Sequence, residues 1–431
     1  MTSKQKPPIF YGWKIVMAIL VQLTFASGLS FYNHAIYLNA LAEQPAFSVS
    51  TASLAVSVFF LSGGVAGLGV GKWVQLHDPR YSISCGAILS CIAVSSLPFV
   101  SQLWQLLLVY ALFGVGFAAS ALLPATTLVT RWFHRRRAIA LSIASTGLSL
   151  GGVLLTPLSA VLVSSLGFNG AAPVLGLLYL VGILPVAWIW LRPSPESMGL
   201  RVDGDAVIAE SGAESHSPAQ NAISGIDQSN DASQGINLTE ARRGKLFWAI
   251  CLAYVFVMLA QVGGIAHQYG LVRETLTEAQ TVIAVAILPV ASIVGRLAGG
   301  WLVGQISIRA FAICMMVFQV VALVQLAIGS GMMSLSIGLF VFGASVGNLL
   351  MLQPLLIAEA FGVKDYARLF SISNLMSSWG TAAGPALLGF TYAASGGDYT
   401  LPYLFAAAAG LFGLGLFLLG GPLHPKSTGD N

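Results

Sequence analysis

FGVGFAASALLPATTLVTRWF, residues 113–133, returns in altered form as FGASVGNLLMLQPLLIAEAFG, residues 342–362. Both stretches open with Phe-Gly. Both carry a proline eleven or twelve residues after that phenylalanine, Pro124 and Pro354. Each is apolar and long enough to cross a bilayer, which takes about 20 residues of helix. Two matched crossings so far apart in one chain imply an internal duplication.

The composition agrees. Of 431 residues, 56% are hydrophobic and 8% are charged, and the mean hydropathy is +0.81. Soluble chains carry roughly 25% charge. Twelve apolar runs follow: about 13–38, 50–74, 82–101, 104–130, 138–165 and 170–191, then 246–271, 279–304, 309–330, 333–360, 367–395 and 400–420. The pattern predicts an all-α membrane protein. Its twelve transmembrane helices form two pseudo-symmetric bundles of six, 1–192 and 244–431. Between them 193–243 is rich in Ser, Gly, Asp, Glu and Asn and reads as a flexible cytoplasmic linker. Other landmarks repeat as well. Span 1 follows Trp13 and reaches His34, and span 7 follows Trp248 and reaches His267.

With the N-terminus inside, all but Arg273 and Arg296 of the 20 Lys and Arg fall on cytoplasmic segments. That is the positive-inside pattern. It predicts a multi-pass protein of the cell (plasma) membrane with both termini cytoplasmic. Cys85, Cys91, Cys251 and Cys314 lie in apolar runs with no metal spacing and read as small buried hydrophobes. No phosphate-binding loop is present, so neither ATP nor another cofactor is expected. Nothing points to nucleic acid, and the plan works as a monomer. Gly147-Leu148-Ser149-Leu150-Gly151 matches a lipase G-x-S-x-G pattern but sits in a membrane helix, away from the strand-turn-helix setting which that chemistry needs.

Glycines at four-residue spacing (Gly63, Gly67 and Gly71; Gly147 and Gly151; Gly295 and Gly299; Gly380 and Gly384) predict close helix crossings. Pro157 and Pro385 permit kinks. The informative charge is Arg296, in ILPVASIVGRLAGGWLVG, residues 287–304. It sits eight residues, or roughly 12 Å, from the inner end of its run. A cation at such depth costs roughly 2.5–3.5 kcal/mol on insertion scales. No acid is expected at its level. Backbone carbonyls or water could satisfy it; the other reading makes its counter-ion the cargo. A guanidinium matches a carboxylate bidentately.

YGWKIV (11–16), FYNHAIYL (31–38), RWFHRRRAIALSIASTGLSLGG (131–152) and GRLAGGWL (295–302) resemble the major facilitator superfamily, and within it the monocarboxylate transporter and oxalate/formate antiporter-like branch. The resemblance implies alternating access and carriage of a small organic monoanion, by proton symport or by exchange. It aligns Arg296 with the arginine that binds the carboxylate in that branch. Span 11 lacks the second cation of dicarboxylate carriers. The acid one turn before the arginine is Ser292 here, and the outer-mouth lysine of span 1 is replaced by the Tyr32-Asn33-His34 region. If protons are coupled, His34 and His267 are the candidates, since imidazole titrates near neutrality. Tyr32, Asn33, Asn348, Gln353 and Asn374 are expected to complete the substrate site, and Gln261, Phe31 and Trp379 are further candidates. The superfamily's loop after span 2 reads GKWVQLHDPR (71–80) here. Gln75 replaces the usual acid and Gly304 takes its place in the second half, so Gly71, Asp78 and Arg80 are the expected gate. Two rivals remain. An exporter of apolar drug-like compounds would keep working without the Arg296 charge. A non-transporting sensor would need a signalling segment, and the tail HPKSTGDN offers little.

Overall fold

The computed structural model describes residues 10–133, 136–204, 236–302, 305–362 and 365–423. Lys4, Lys6, Arg135, Gly304, Lys364, most of the linker and the tail HPKSTGDN lie outside the described residues.

The apolar runs are helices because lipid offers no partner to a bare backbone N–H or C=O. Spans 1 to 4 are Gly12–Ala42, Val49–Leu76, Pro79–Ser96 and Leu103–Trp132. Spans 5 and 6 share Arg137–Ile189. Spans 7 to 12 are Lys245–Thr275, Glu278–Leu302, Ile308–Ile328, Gly331–Phe361, Tyr366–Ala394 and Thr400–Leu419. The expected loop between spans 5 and 6 does not exist. Gly167 alone, at φ +68, reverses the chain, a conformation that costs glycine little. Span 11 is too rich in Ser and Gly to stand out by hydropathy, yet it packs fully between spans 7 and 2.

Two spans are broken internally. Span 4 breaks at Ala121, three residues before Pro124, whose ring cannot sit against the carbonyl one turn back. Span 1 carries a π turn at Gly28–Tyr32, one residue more than an α turn holds. Such turns gather at functional sites.

The duplication is visible in the crossings. Cβ atoms added at Gly147 and Gly151 of span 5 would strike the Leu20 and Thr24 carbonyls of span 1. Added at Gly380 and Gly384 of span 11, they would strike the Val255 and Leu259 carbonyls of span 7. Gly114 of span 4 sits on the Phe59 carbonyl of span 2, and Gly343 of span 10 sits on the Leu288 carbonyl of span 8. Each half repeats the same backbone contacts in the same order. The halves meet where span 2 packs on span 11, span 5 on span 8, and the end of span 1 on span 7.

Gly71 differs from these. A Cβ there meets nothing within 4 Å, so it holds no crossing. Asp78 caps the start of span 3 and pairs with Arg80 in the first turn of that helix at 2.6 Å.

Candidate functional site: a central cavity with one buried cation

Even numbers of crossings separate Phe10, the linker and Leu423, so all three share one face, the linker face. From that side a cavity of about 590 Å³ runs in between the halves. Its walls come from spans 1, 4, 5, 8 and 10, at positions such as Leu23, Leu122, Leu141, Ile293, Leu297 and Met351. Arg296 is its only charged lining residue among the described residues.

Half-buried Arg296 donates from Nε to the Gly347 carbonyl of span 10 at 3.1 Å. No carboxylate pairs with it among the described residues. The carbonyl that the sequence left open as a partner is therefore present, but it takes one edge of the guanidinium, and among the described residues no hydrogen bond occupies the terminal Nη pair. Off the cavity wall, the Tyr32 hydroxyl lies near the hydroxyls of Ser149 and Ser292 and within electrostatic reach of Arg296. The Ser149 and Ser292 oxygens are 3.4 Å apart, so this cluster joins the two halves. The π turn ends on Tyr32.

The duplication makes the charge stand out. Eight residues beyond Phe59 is Gly67, and eight beyond Leu288 is Arg296. The two related positions hold nothing and a cation.

The other expected residues have different occupations. Asn33 is fully buried and donates to Ser159 of span 5 at 2.6 Å and to Tyr37 at 3.3 Å. Asn348 donates to the Gly295 and Ala344 carbonyls, both at 2.9 Å, pinning span 10 to span 8 beside Arg296. Gln353 donates to Ser373 and Ser377, binding spans 10 and 11. Asn374 is exposed on span 11 and lies off the cavity wall. Gln261 is buried with neither side-chain polar atom hydrogen-bonded. Phe31 packs on Tyr32 and Phe60, and Trp379 is exposed. Ser149 and Ser292 escaped the sequence reading. Ser149 sat inside the rejected lipase-like pattern, where its glycines serve the crossing with span 1. Ser292 was noted only for the acid it lacks.

The two histidines part company. His34 is fully buried in a box of Phe59, Phe60, Tyr110 and Phe113, with ring centroids 4.2 to 5.9 Å away. Neither of its ring nitrogens has a partner. His267 bridges the halves: its Nε2 lies 3.2 Å from the Ser53 hydroxyl and 3.1 Å from the Pro385 carbonyl. An unpaired buried polar group costs roughly 1–3 kcal/mol. His34→Leu is therefore expected to unfold at a higher temperature than the parent in detergent, as read by a thermal melt. A lower melting temperature refutes that account of the box.

On the face away from the linker the halves are latched. Arg273 of span 7 donates to Asn39 at 2.6 Å and pairs with Glu43, both on the span 1 side. Ser57 accepts from the Ala386 N–H at 3.0 Å. The molecule is thus closed on that face and open on the linker face. The Arg273–Glu43 pair is half exposed, and such pairs contribute about 0–1 kcal/mol. Arg273→Gln should then shift the balance of conformations only severalfold. The readout is faster labelling of a cysteine introduced at Ser57, with Arg273→Glu/Glu43→Arg restoring the parent rate. Equal rates in all three would show that the pair is not a latch.

Comparison with known proteins decides the family. Residues 20–355 match the Major Facilitator Superfamily. This chain belongs to that superfamily. An MFS transporter of Aspergillus flavus, asaE, is 24% identical over 377 residues, 86% of this chain and 74% of that protein. Monocarboxylate transporter 13 of Bos taurus is 24% identical over 433 residues, 97% of this chain and 91% of that protein. The fold matches that of a bacterial homologue of the human lysosomal transporter Spinster, in its inward-facing and unoccupied conformation. The TM-score is 0.68 at 16% identity, over 96% of each chain. Members of the superfamily are secondary transporters.

Proposed function

We propose that this chain carries an organic monoanion, a monocarboxylate, across the cell membrane by alternating access, with the linker face and both termini in the cytoplasm. The observation that carries the reading is the Arg296 guanidinium. Among the described residues it is the sole charge on the cavity wall, and none of their carboxylates meets its Nη edge. A charge that deep needs a counter-ion, and a carboxylate fits the free edge in a fork. A single cation suits a single negative charge, which argues against dicarboxylates. The name of the bovine relative, a monocarboxylate transporter, supports the same class. The Tyr32 hydroxyl lies within electrostatic reach of the guanidinium and is a second donor for the same carboxylate if its ring turns toward the cavity.

The test is uptake by proteoliposomes of labelled lactate, pyruvate, acetate, oxalate and a branched-chain keto acid. Each is run with and without an inward proton gradient, and with preloaded cold acid. Saturable uptake of a monoacid is the expected result. Absence of uptake of every acid by folded protein would refute it. Gradient dependence distinguishes symport from exchange. If symport operates, His267 is the better of the two coupling candidates, because its ring donates from Nε2 to the Pro385 carbonyl of its own half and touches Ser53 of the other, which leaves Nδ1 to take the coupling proton at the seam. His267→Gln should then abolish the gradient dependence and spare exchange, whereas His34→Leu should keep both. The reverse pattern would assign the proton to His34.

A further inference from the structure

The same cavity says more about the cargo than its charge. About 590 Å³ is within the range that encloses a drug-sized ligand. Apart from Arg296 the wall is built from apolar side chains and a few hydroxyls. Several of the apolar groups are open rather than packed: Leu297 is 74% exposed, Leu122 45% and Met351 42%. On the linker-side half of a membrane cavity these groups face the cleft, and a cargo that covers them gains by their removal from water.

Apart from Ser142, the hydroxyls do not alter that character. Thr126 donates to the Leu123 carbonyl, and Ser145 and Thr146 donate to the Ser142 carbonyl, all at 3.0 Å. Their protons are turned onto their own helices. A cargo oxygen far from Arg296 meets few donors there, which disfavours a second carboxylate or a hydroxyl-rich acid. Past Leu122 a second chamber of about 230 Å³ opens between spans 2, 4 and 11, lined by Phe59, Phe60, Phe117 and Leu123. Leu122 belongs to both walls.

We infer that the cargo is an amphipathic monocarboxylic acid with a ring or a chain of several carbons, its carboxylate on Arg296 and its apolar body along Leu297 and Leu122 toward the second chamber. This rests on the reading of Arg296 as the carboxylate's partner. A two- or three-carbon acid satisfies the charge and leaves the wall wet. Burial contributes about 0.8 kcal/mol per carbon, or about fourfold in affinity.

The experiment is thermal stabilisation of the purified full-length protein in detergent by acetate, lactate, butyrate, hexanoate and 4-phenylbutyrate. Each acid is paired with its neutral amide, which controls for partition into micelles. Stabilisation by a ligand gives its dissociation constant. Affinity should rise about 15-fold from butyrate to hexanoate and further to 4-phenylbutyrate, with the amides inert. Leu297→Asn should flatten the series. If acetate and lactate bind as tightly as 4-phenylbutyrate, the amphipathic cargo is refuted while the carboxylate reading stands. If the amides match the acids and Arg296→Gln changes nothing, the carboxylate reading fails and takes this one with it. No stabilisation by any acid overturns both.

Discussion

Arg296→Gln should bring acid uptake down to the level of empty liposomes while the protein still purifies as a folded monodisperse species. Glutamine keeps a side chain of similar reach that can still donate to the Gly347 carbonyl, so span 8 keeps its tie to span 10. What disappears is the charge and the fork. Removing one member of a buried, hydrogen-bonded ion pair costs about 2–5 kcal/mol, or about 30-fold and upward in affinity. Arg296→Lys is the sharper control. It returns the charge without the planar edge, and it should recover part of the binding but not the parent level. The measurement is initial-rate uptake at fixed acid, with melting temperature as the folding control. Parent-level uptake in Arg296→Gln would leave the arginine a structural charge and favour export of apolar neutral compounds through the same cavity.

The second large effect concerns stability. Gly151→Ala and Gly380→Ala should each lower the melting temperature in detergent, because the added methyl group meets backbone of a neighbouring span and not a yielding side chain. Overpacking of this kind costs about 1–3 kcal/mol. Gly71→Ala should do the opposite. Its Cβ would stand in open space within a helix, and alanine is better in a helix by up to about 1 kcal/mol. Melts of the three variants beside the parent decide it. Equal gains at all three positions would mean that helix propensity and not crossing geometry governs these glycines.

The parts of the fold that hydropathy governs were open to the sequence. Apolar length gave the twelve crossings, and the Phe-Gly and proline landmarks of spans 4 and 10 gave the duplication. The glycine spacing foretold real crossings at Gly147, Gly151, Gly380 and Gly384, although it could not tell that Gly71 faces nothing. Arg296 was legible because a cation among apolar residues has few explanations. Its neighbours were harder. Asn33, Asn348 and Gln353 are polar residues in apolar helices, and whether such a group faces a cavity or a neighbouring helix depends on the rotation of the helix about its axis. Here all three face helices. The π turn of span 1 adds one residue to that rotation between Gly28 and Tyr32, with nothing in the pattern to announce it. Serines are common in membrane helices, so Ser149 and Ser292 carried no signal until the halves were brought together. The missing loop at Gly167 was hidden for a similar reason. One left-handed residue does the work expected of several.

The unequal pair Gly67 and Arg296 has a consequence for the return stroke. A loaded carrier closes over a neutral couple, because guanidinium and carboxylate cancel. An empty carrier closes over a bare cation in a shrinking, drying space, where the cost of an uncompensated charge climbs. On the carboxylate reading the unladen stroke is therefore the slow one. The asymmetry works as a ratchet against idling, and the flow of anion in one direction sets the pace of the other.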